Sequence, residues 1–447
     1  MDSANNRPSG VLDRWFGITE RGSTVRQEVL SGLATFMTMA YIIFVNPLIL
    51  SNAGMPMAAV IAATCLGAAV PSLLMGLWAN YPLALASGMG LNAALVAYAN
   101  QPGMNWQTMM GVVILEGIII LLLVLTKVRE QVMNSIPINL KRSIGVGIGL
   151  FIAFLGLQQM GWVAKGDGPV FLKHGSFAIK TTLLATAGVA LMAMMLAWRV
   201  RGAILFGILG TVILSVAVDS ISGTAQPLVR MPDKLVAMPD FSTFAQADFM
   251  AALKPSLLAV VFAFLITDFF DTMGTVIGIG GQGGFLDKNG HLPRLNRVLA
   301  VDSFAAIWGG LCGASSATTY IESAAGVSQG GRTGLVSVVV AALFSLALFF
   351  SPIIGMVPAV ATAPALLIVG FLMASALKEM DFANPEEGLP AFFTMLLIPL
   401  GQSISFGIGM GIISYVIVRV LRGKGREVSL WLYAIAALFL ASFIWGL

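Results

Sequence analysis

Two carboxylates lie in the middle of an apolar stretch that is long enough to cross a membrane. The stretch runs from Val261 to Gly280 (VFAFLITDFFDTMGTVIGIG), and the acids are Asp268 and Asp271. An unpaired charge in hydrocarbon costs on the order of 3 kcal/mol even on a lenient insertion scale. Helical spacing places both acids, Thr272 and Thr275 on one polar stripe. We therefore expect this stripe to form one wall of a solute site at mid-membrane depth.

The two aspartates cannot both be ionised cheaply, because they are close together in a medium of low dielectric constant. One of them is expected to hold a proton, as a proton-coupling group must. A hydrogen bond from a serine or threonine of a neighbouring helix is the alternative role, and for Asp268 both roles stay open. For Asp271 the sequence favours a functional role, because this residue begins the tighter cluster with Thr272 and Thr275.

A third acid stands in the segment from Ala314 to Gly331 (ASSATTYIESAAGVSQGG), where Glu322 is the sole acidic residue. Thr319 and Glu322 have the spacing of a capping box, in which the threonine begins a helix and the glutamate bonds back to it. That structural role would suffice in a soluble protein. At membrane depth, opposite a helix that carries further acids, we favour substrate or proton binding by Glu322.

Other polar residues inside apolar segments give weaker signals. Asn92 lies in the first turns of a short helix, where its amide either donates to a ligand or ties the helix to a neighbour. Asn46, Glu116 and Asp302 are interpreted as structural or gating residues. The glycines between 278 and 284 do not predict a nucleotide site, since no P-loop lysine follows them. No spacing of histidine, cysteine or carboxylate indicates a metal site, and we expect no cofactor.

The composition of the chain is that of a membrane protein. Of the 447 residues, 57% are hydrophobic and only 10% are charged. Repeated apolar runs of about 20 residues indicate an all-α polytopic membrane protein. Their continuity excludes a β-barrel, whose strands alternate with a period of two. The polar N-terminus lacks the apolar core of a signal peptide, and the net charge of +4 comes without a nucleic-acid-binding signature.

Positive charge in the short loops indicates the orientation of the chain. With the N-terminus in the cytoplasm, these basic stretches fall on the cytoplasmic side: Lys127–Arg142, Arg199–Arg201, Lys288–Arg297 and Arg332. The cluster Arg419–Arg426 agrees if Leu389–Val420 is a hairpin of two short helices. A last apolar run, Leu430–Trp445, leaves the side of the C-terminus undecided.

The sequence also contains an internal repeat of interrupted segments. Tyr81–Asn100 and Ala314–Gly331 are each the third segment of a half, and each begins with small residues before a short helix. A polar connection from Asp219 to Pro255 separates the halves. An odd number of segments per half makes the second half insert upside down, which predicts about 14 segments as two inverted repeats of seven. The interrupted helices of such repeats meet at the midplane and form the substrate site there.

Several stretches resemble the AzgA-like hypoxanthine/guanine/adenine permeases of the nucleobase–ascorbate transporter superfamily. The resemblance runs through essentially the whole chain after the N-terminal tail. It is carried by SGLATFMTMAYIIFVNP (31–47), SGMGLNA (87–93), DFFDTMGT (268–275), TTYIESAAGVSQGGRTGL (318–335) and ATAPALLIVG (361–370). The GMGLNA and IESAAG/GGRTG blocks are quite specific to this branch.

The resemblance implies a core domain and a gate domain that move against each other. The ranges it assigns are 1–24 for a cytoplasmic N-terminal tail, 25–128 and 256–352 for the core domain, 129–222 and 353–447 for the gate domain, and 223–255 for the connection between the repeats. Each interrupted segment, the third and the tenth, would be a short strand followed by a half-helix. Gly145–Gly149 would ease the sliding of gate against core, and a homodimer would form through the gate domain.

Family binding residues carry over to Asn92, Asp271 and Glu322. The resemblance therefore implies proton-coupled import of purine bases, hypoxanthine and guanine before adenine, across a bacterial inner membrane. Because a carboxylate accepts paired N–H groups, Glu322 and Asp271 are expected to bind the base edges and, with Asp268, the proton. Phe270 is the expected stacking partner. The remaining residues expected to contact the base lie around the interruptions: Gly88, Met89, Thr319 and Tyr320.

Two other kinds of function remain open. A transporter of the same fold would carry xanthine, uracil or a small anion, although buried carboxylates disfavour an anion site. A membrane-integral aspartyl hydrolase would use Asp268 and Asp271, but a catalytic dyad normally takes its acids from separate helices. The sequence therefore predicts a transporter and not an enzyme.

Overall fold

Membrane-length helices make up most of the fold. The computed structural model describes residues 10–126, 128–166, 172–222, 227–229, 231–232, 234–287 and 292–445. Residues 1–9 of the predicted tail, Lys127, parts of the connection 223–255 and residues 288–291 of the basic loop lie outside the described residues. Within them, 10 segments are long and apolar enough to cross a membrane. The all-α polytopic fold predicted from composition is confirmed.

The first half of the chain ends in the predicted polar connection. Its helices and strands are α1 (Val11–Phe16), α2 (Val25–Met39), α3 (Ile42–Ser51), α4 (Met57–Leu74, extended by a π-helical turn, Met75–Ala79), β1 (Leu85–Ser87), α5 (Met89–Ala99), α6 (Trp106–Leu125), α7 (Val128–Ser135), α8 (Ile138–Gln159), β2 (Val163–Lys165), β3 (Leu172–His174), α9 (Lys180–Ala197), α10 (Ala203–Ser222) and α11 (Phe249–Ala252). The first predicted spanning segment is thus two helices, because α2 stops at Met39 and α3 starts at Ile42.

The second half begins with the helix that carries the two central aspartates. Its helices and strand are α12 (Leu258–Gln282), α13 (Leu295–Cys312), β4 (Ala317–Thr319), α14 (Ser323–Ser328), α15 (Leu335–Ala347), α16 (Ser351–Gly355), α17 (Ala359–Ala374), α18 (Pro385–Leu400), α19 (Ile404–Leu421) and α20 (Leu430–Trp445). The 10 membrane-length segments, the two interrupted segments, α13 and α18 account for the predicted repeats of seven.

Helix packing follows the symmetry of an inverted repeat. In the correspondence between halves, α4 matches α13 and α6 matches α15. The contact between α4 and α15 is therefore repeated by the contact between α13 and α6, and both are extensive. The contact between α9 and α10 is repeated in the same way by that between α18 and α19.

The two interrupted segments meet as a short antiparallel ribbon. Strand β1 pairs with β4 so that Ala86 lies opposite Thr318. Backbone bonds continue beyond both ends, from the Gly88 N–H to the Ser316 carbonyl at 2.8 Å and from the Tyr320 N–H to the Ala84 carbonyl at 2.9 Å. The ribbon is fully buried among α4, α12 and α13. Its backbone groups are thus satisfied inside the membrane, as an interruption at this depth requires, and the predicted strand and half-helix arrangement is confirmed.

Two glycines at the start of α8 allow close packing of neighbouring helices. A Cβ atom on Gly149 would lie 2.6 Å from the Met373 Cβ of α17, and Gly147 packs against Ile398 of α18. Both partner helices fall in range 353–447, which the resemblance assigns to the same gate domain as α8. Helix α8 also contacts α5 and α12 of the predicted core, so the sliding role of Gly145–Gly149 stays a prediction.

Both ends of the described chain pack against the helical body. Phe16 and Ile18 are buried against Leu335 at the start of α15, and Arg21 donates to the carbonyl oxygens of Asn80 and Arg332. The described part of the predicted tail is thus ordered. At the other end, the last apolar run forms α20, which packs on α19.

Candidate substrate site

Glu322 lies immediately before the half-helix α14, beside a tyrosine of the first spanning segment. The Tyr41 hydroxyl donates to the Glu322 Oε1 at 2.6 Å. Tyr41 is fully buried at the break between α2 and α3, so its hydroxyl reaches Glu322 from inside the protein. The bond fixes the position of the carboxylate.

The capping-box interpretation of Glu322 is wrong. Helix α14 begins only at Ser323, so Glu322 precedes the first helical residue and does not occupy its third position. Thr319 is the last residue of β4, and its buried hydroxyl has no hydrogen-bond partner in the described chain. Thr319 lies four residues before Ser323, where α14 begins, so its hydroxyl is too far along the chain to cap this helix.

Asp271 is the acid of α12 that faces Glu322. Helix α12 packs directly against α14, and the Asp271 carboxylate lies close enough to interact electrostatically with Asp302 and with Glu322, as well as with the hydroxyls of Tyr41 and Tyr320. Its neighbour Thr275 does not bind this carboxylate, because the Thr275 hydroxyl donates to the backbone carbonyl of Asp271 at 3.2 Å. The structure thus brings together two of the predicted binding acids and two tyrosines.

The polar stripe of α12 divides between two environments. Asp268 is fully buried and receives a long hydrogen bond of 3.4 Å from the Ser316 hydroxyl. Thr272 donates to the Asp302 Oδ2 at 2.7 Å. The four stripe positions span about 100° around a helix, which is wide enough for its edges to face different neighbours. Asp268 and Thr272 thus bond to residues of β4, α13 and the segment before β4, whereas Asp271 lies near Glu322. The stripe as one wall of a solute site stays a prediction.

Asn92 is tied to the protein through both ends of its amide. It is fully buried on α5, donates to the Asn46 Oδ1 at 2.5 Å and lies 3.1 Å from the Ser87 hydroxyl. Asn46 in turn donates to the Thr64 hydroxyl at 2.9 Å. Of the two predicted roles, the structure displays the tie between α5 and α3. A direct contact of Asn92 with a ligand stays a prediction.

The remaining predicted residues line the ribbon. Tyr320 donates to the Ser87 carbonyl at 2.5 Å, which holds its ring over β1. A Cβ on Gly88 would lie 3.3 Å from Thr318, so glycine permits the close approach of α5 to β4. Met89 and Phe270 are buried in the same apolar cluster as Tyr320. These positions give the two carboxylates an apolar and aromatic surround.

Sequence reasoning missed two residues of this region. Tyr41 stands in an apolar run, where a tyrosine is expected at the lipid interface, and no sequence signal connects it with Glu322. Arg129 was assigned to a basic cytoplasmic loop, yet it is fully buried and its Nη2 lies 3.0 Å from the Asp302 Oδ2. The available signal was Asp302 itself, since an aspartate inside an apolar segment requires a partner.

A separate cavity of about 450 Å³ lies among arginines of the predicted cytoplasmic loops. Its lining includes Arg21, Arg294, Arg332 and Tyr81 but none of the predicted binding residues. We do not assign substrate binding to it, because it lacks the carboxylates and the half-helix ends.

Comparison with known proteins identifies the family of the chain. A family model described as "Permease family" matches residues 26–410. This chain belongs to the nucleobase–ascorbate transporter family of permeases. The match covers both interrupted segments of this permease and the predicted residues Asn92, Asp271 and Glu322, and it ends within α19.

Similar proteins agree along nearly the whole length. The guanine/hypoxanthine permease PbuO of Bacillus subtilis is 40% identical over 95% of this permease and 98% of that protein. The adenine permease AdeP of Escherichia coli is 38% identical over 97% of this permease and 96% of that protein. The transmembrane domain of the cyanobacterial bicarbonate transporter BicA has a TM-score of 0.62 at 16% identity, covering 86% of this permease and 97% of that domain. The BicA match shows the shared fold alone.

Proposed function

We propose that this permease imports purine nucleobases, hypoxanthine and guanine before adenine, in symport with protons. The observation that carries the proposal is the meeting of Glu322, Asp271 and the Tyr41 hydroxyl beside the buried ribbon. Purine bases are flat, uncharged at neutral pH and bear N–H groups along their edges. Paired carboxylates accept such groups through charge-assisted bonds. The printed names of relatives at about 40% identity, a guanine/hypoxanthine and an adenine permease, support the same substrate class.

In the proposed complex, each group around the ribbon has a distinct task. Glu322, held by Tyr41, accepts N–H groups from one edge of the base, and Asp271 approaches another edge. Phe270 packs on the flat face. Backbone groups of Ser87–Gly90 and of Thr318–Tyr320 complete the recognition, while Asn92 keeps the start of α5 in register with α3.

Proton coupling follows from the proximity of two acids between membrane-length helices. Asp271 and Glu322 are neighbours at low dielectric, so protonation of one favours ionisation of the other. A base that donates N–H groups binds best to the ionised acid, which links its affinity to the proton. The ranges 25–128 and 256–352 would then move as a core against the gate of 129–222 and 353–447. We further propose a bacterial inner-membrane location, a cytoplasmic N-terminus and a homodimer through the gate.

The geometry disfavours the alternative functions. An anion transporter of this fold would bring a negative solute to half-helix ends that here stand beside two carboxylates. An aspartyl hydrolase needs its acids to face one another, but Asp268 accepts a hydrogen bond from Ser316 while Asp271 lies near Glu322.

Uptake measurements test the substrate proposal. We expect a strain lacking its own base permeases to accumulate radiolabelled hypoxanthine and guanine when it expresses this chain, adenine more weakly, and xanthine and uracil least. A protonophore is expected to abolish accumulation above the external concentration, because the proton gradient drives it. An empty-vector strain is the control. Absence of uptake for every base would refute the substrate class, and accumulation that survives the protonophore would refute proton coupling.

Replacing Tyr41 with phenylalanine tests the link to Glu322. The ring is kept and only the donor is lost. A hydrogen bond to a charged group contributes about 1.5–3 kcal/mol, so we expect the KM for hypoxanthine uptake to rise by about 10- to 100-fold. Tyr98→Phe on α5 is the matched control, because Tyr98 contacts the Phe264 ring and lies away from Glu322. Equal KM values for the two variants would contradict the assigned role of Tyr41.

A further inference from the structure

Four ionisable side chains form a buried charge cluster beside the candidate substrate site. They are Glu116 of α6, Arg129 of α7, Asp268 of α12 and Asp302 of α13, and all of them are completely buried. Four different helices contribute, so the cluster exists only in the folded core. Among the described residues, this cluster contains no group of histidine, cysteine and carboxylate side chains arranged to hold a metal ion.

One acid of the cluster has the contacts of an ionised carboxylate. Asp302 lies 3.0 Å from Nη2 of Arg129 and accepts the Thr272 hydroxyl at 2.7 Å. The guanidinium also lies 3.4 Å from the Ser303 hydroxyl and 5.3 Å from the ring centroid of Phe269. Arginine keeps its charge in proteins, so this pair accounts for the one cation and one of the three anions.

The other two acids lack the contacts that an ion needs. Neither oxygen of Glu116 has a hydrogen-bond partner in the described chain, and the Oδ2 of Asp268 has none. Ser316 lies beside both acids, but its hydroxyl donates to Asp268 at the long distance of 3.4 Å. A buried, unpaired carboxylate takes up a proton in preference to remaining charged.

No unpaired cation of the cluster faces Glu116 or Asp268 to balance the charge that either acid would carry when ionised. Arg129 is already neutralised by Asp302, and the further charged group that acts on Asp268, Asp271 of the next turn, is itself acidic. Three carboxylates and one guanidinium would carry two excess negative charges at membrane depth. Two bound protons make the cluster neutral.

We propose that Glu116 and Asp268 form a proton-binding site distinct from the base-binding acids Glu322 and Asp271. The proposal rests on proton-coupled uptake and adds a second place where a transported proton is held, besides the pair Asp271 and Glu322. Ser316 and Thr318 connect the two sites, since Thr318 lies on β4, 2.9 Å from the Thr272 hydroxyl, and β4 forms the ribbon with β1. When Asp268 loses its proton, it places a negative charge next to Ser316 and the buried ribbon. Release of the proton is therefore linked to release of the base.

The main test separates exchange of base from accumulation of base. In proteoliposomes, Glu116→Gln is expected to retain counterflow exchange of labelled hypoxanthine without a gradient, because no net proton movement is needed. The same variant is expected to lose accumulation driven by an imposed pH gradient, since glutamine mimics the protonated acid permanently. Glu427→Gln, at an exposed carboxylate, is the matched control and should behave as wild type in both assays.

The outcomes distinguish this inference from the proposed function. If wild type itself accumulates no base under the pH gradient, proton-coupled uptake fails. If wild type accumulates and Glu116→Gln and Asp268→Asn accumulate equally well, the proton site is refuted. Loss of exchange and accumulation together in a folded Glu116→Gln protein also overturns it, because that result indicates a structural role.

A spectroscopic measurement tests the site without transport. In a variant that carries Asp271→Asn and Glu322→Gln, the base-binding acids contribute no carboxyl signal. Infrared spectra of that protein are expected to retain the absorption of protonated carboxyl groups that exchange slowly in D2O, and adding Glu116→Gln or Asp268→Asn should each reduce it. Absence of this absorption in the starting variant would overturn the proposal.

Discussion

Replacing Glu322 with glutamine is expected to abolish concentrative purine uptake while leaving the protein folded. The amide keeps the size of the side chain, and its oxygen still accepts the Tyr41 hydroxyl that now lies 2.6 Å from the carboxylate. Glutamine carries no negative charge, and its amide N–H groups repel the N–H groups of the base. Loss of a charge-assisted bond of about 1.5–3 kcal/mol weakens binding by about 10- to 100-fold.

The measurement combines binding and transport. Hypoxanthine binding to purified protein gives the loss of affinity, and uptake in cells gives the loss of accumulation. Glu379→Gln is the matched control, because Glu379 forms a surface pair with Arg142 and is half exposed. Uptake by Glu322→Gln at the level of this control would show that Glu322 does not bind the base.

Loss of Arg129 is expected to have the largest effect on stability. Breaking a buried ion pair by removing one partner costs about 3–5 kcal/mol, and here the removal leaves Asp302 with two other buried acids and no cation. Arg142→Gln is the matched control, since its pair with Glu379 is at the surface, where such pairs contribute about 0–1 kcal/mol. We expect Arg129→Gln to lower the unfolding temperature and the yield of folded protein far more than Arg142→Gln.

A double-mutant cycle separates the pair from its surroundings. Asp302→Asn strands a guanidinium that cannot lose its proton, so it is also expected to destabilise strongly. The double variant Arg129→Gln/Asp302→Asn removes both charges and should be more stable than the sum of the single effects predicts. Thermal unfolding of detergent-purified protein measures all three. Strictly additive effects would mean that the 3.0 Å contact does not contribute to folding.

Much of the fold was accessible from local sequence. The predicted helix Val261–Gly280 is observed as Leu258–Gln282. Its length could be predicted because the thickness of the bilayer sets the number of consecutive apolar residues in a spanning helix. The runs of small residues before Asn92 and before Glu322 correctly marked the interrupted segments, since such residues permit buried, closely packed backbone. By contrast, the packing of Gly147 and Gly149 against α18 and α17 could not be predicted, because a glycine in the sequence does not reveal which helix approaches it.

The candidate site was only partly predictable. The acids themselves stood out, because charged residues in apolar segments are rare and costly. The sequence did not show which residues surround each acid. Asp268 and Asp271 lie only about 60° apart on a helix, and the neighbouring helices determine the surroundings of each. Tyr41 and Arg129 were missed because a tyrosine in an apolar run and an arginine at a segment end both fit ordinary interfacial roles.

The sequence by itself determined that α12 carries acids into the membrane and that two interrupted segments occupy matching places in inverted halves. These properties follow from composition and spacing along a continuous stretch. Only the tertiary structure decided that Asp271 meets Glu322 and Tyr41, whereas Asp268 joins Glu116, Arg129 and Asp302. The reason is physical: the stripe of α12 is wide enough for two environments, and pairing of β1 with β4 brings a different helix to each edge.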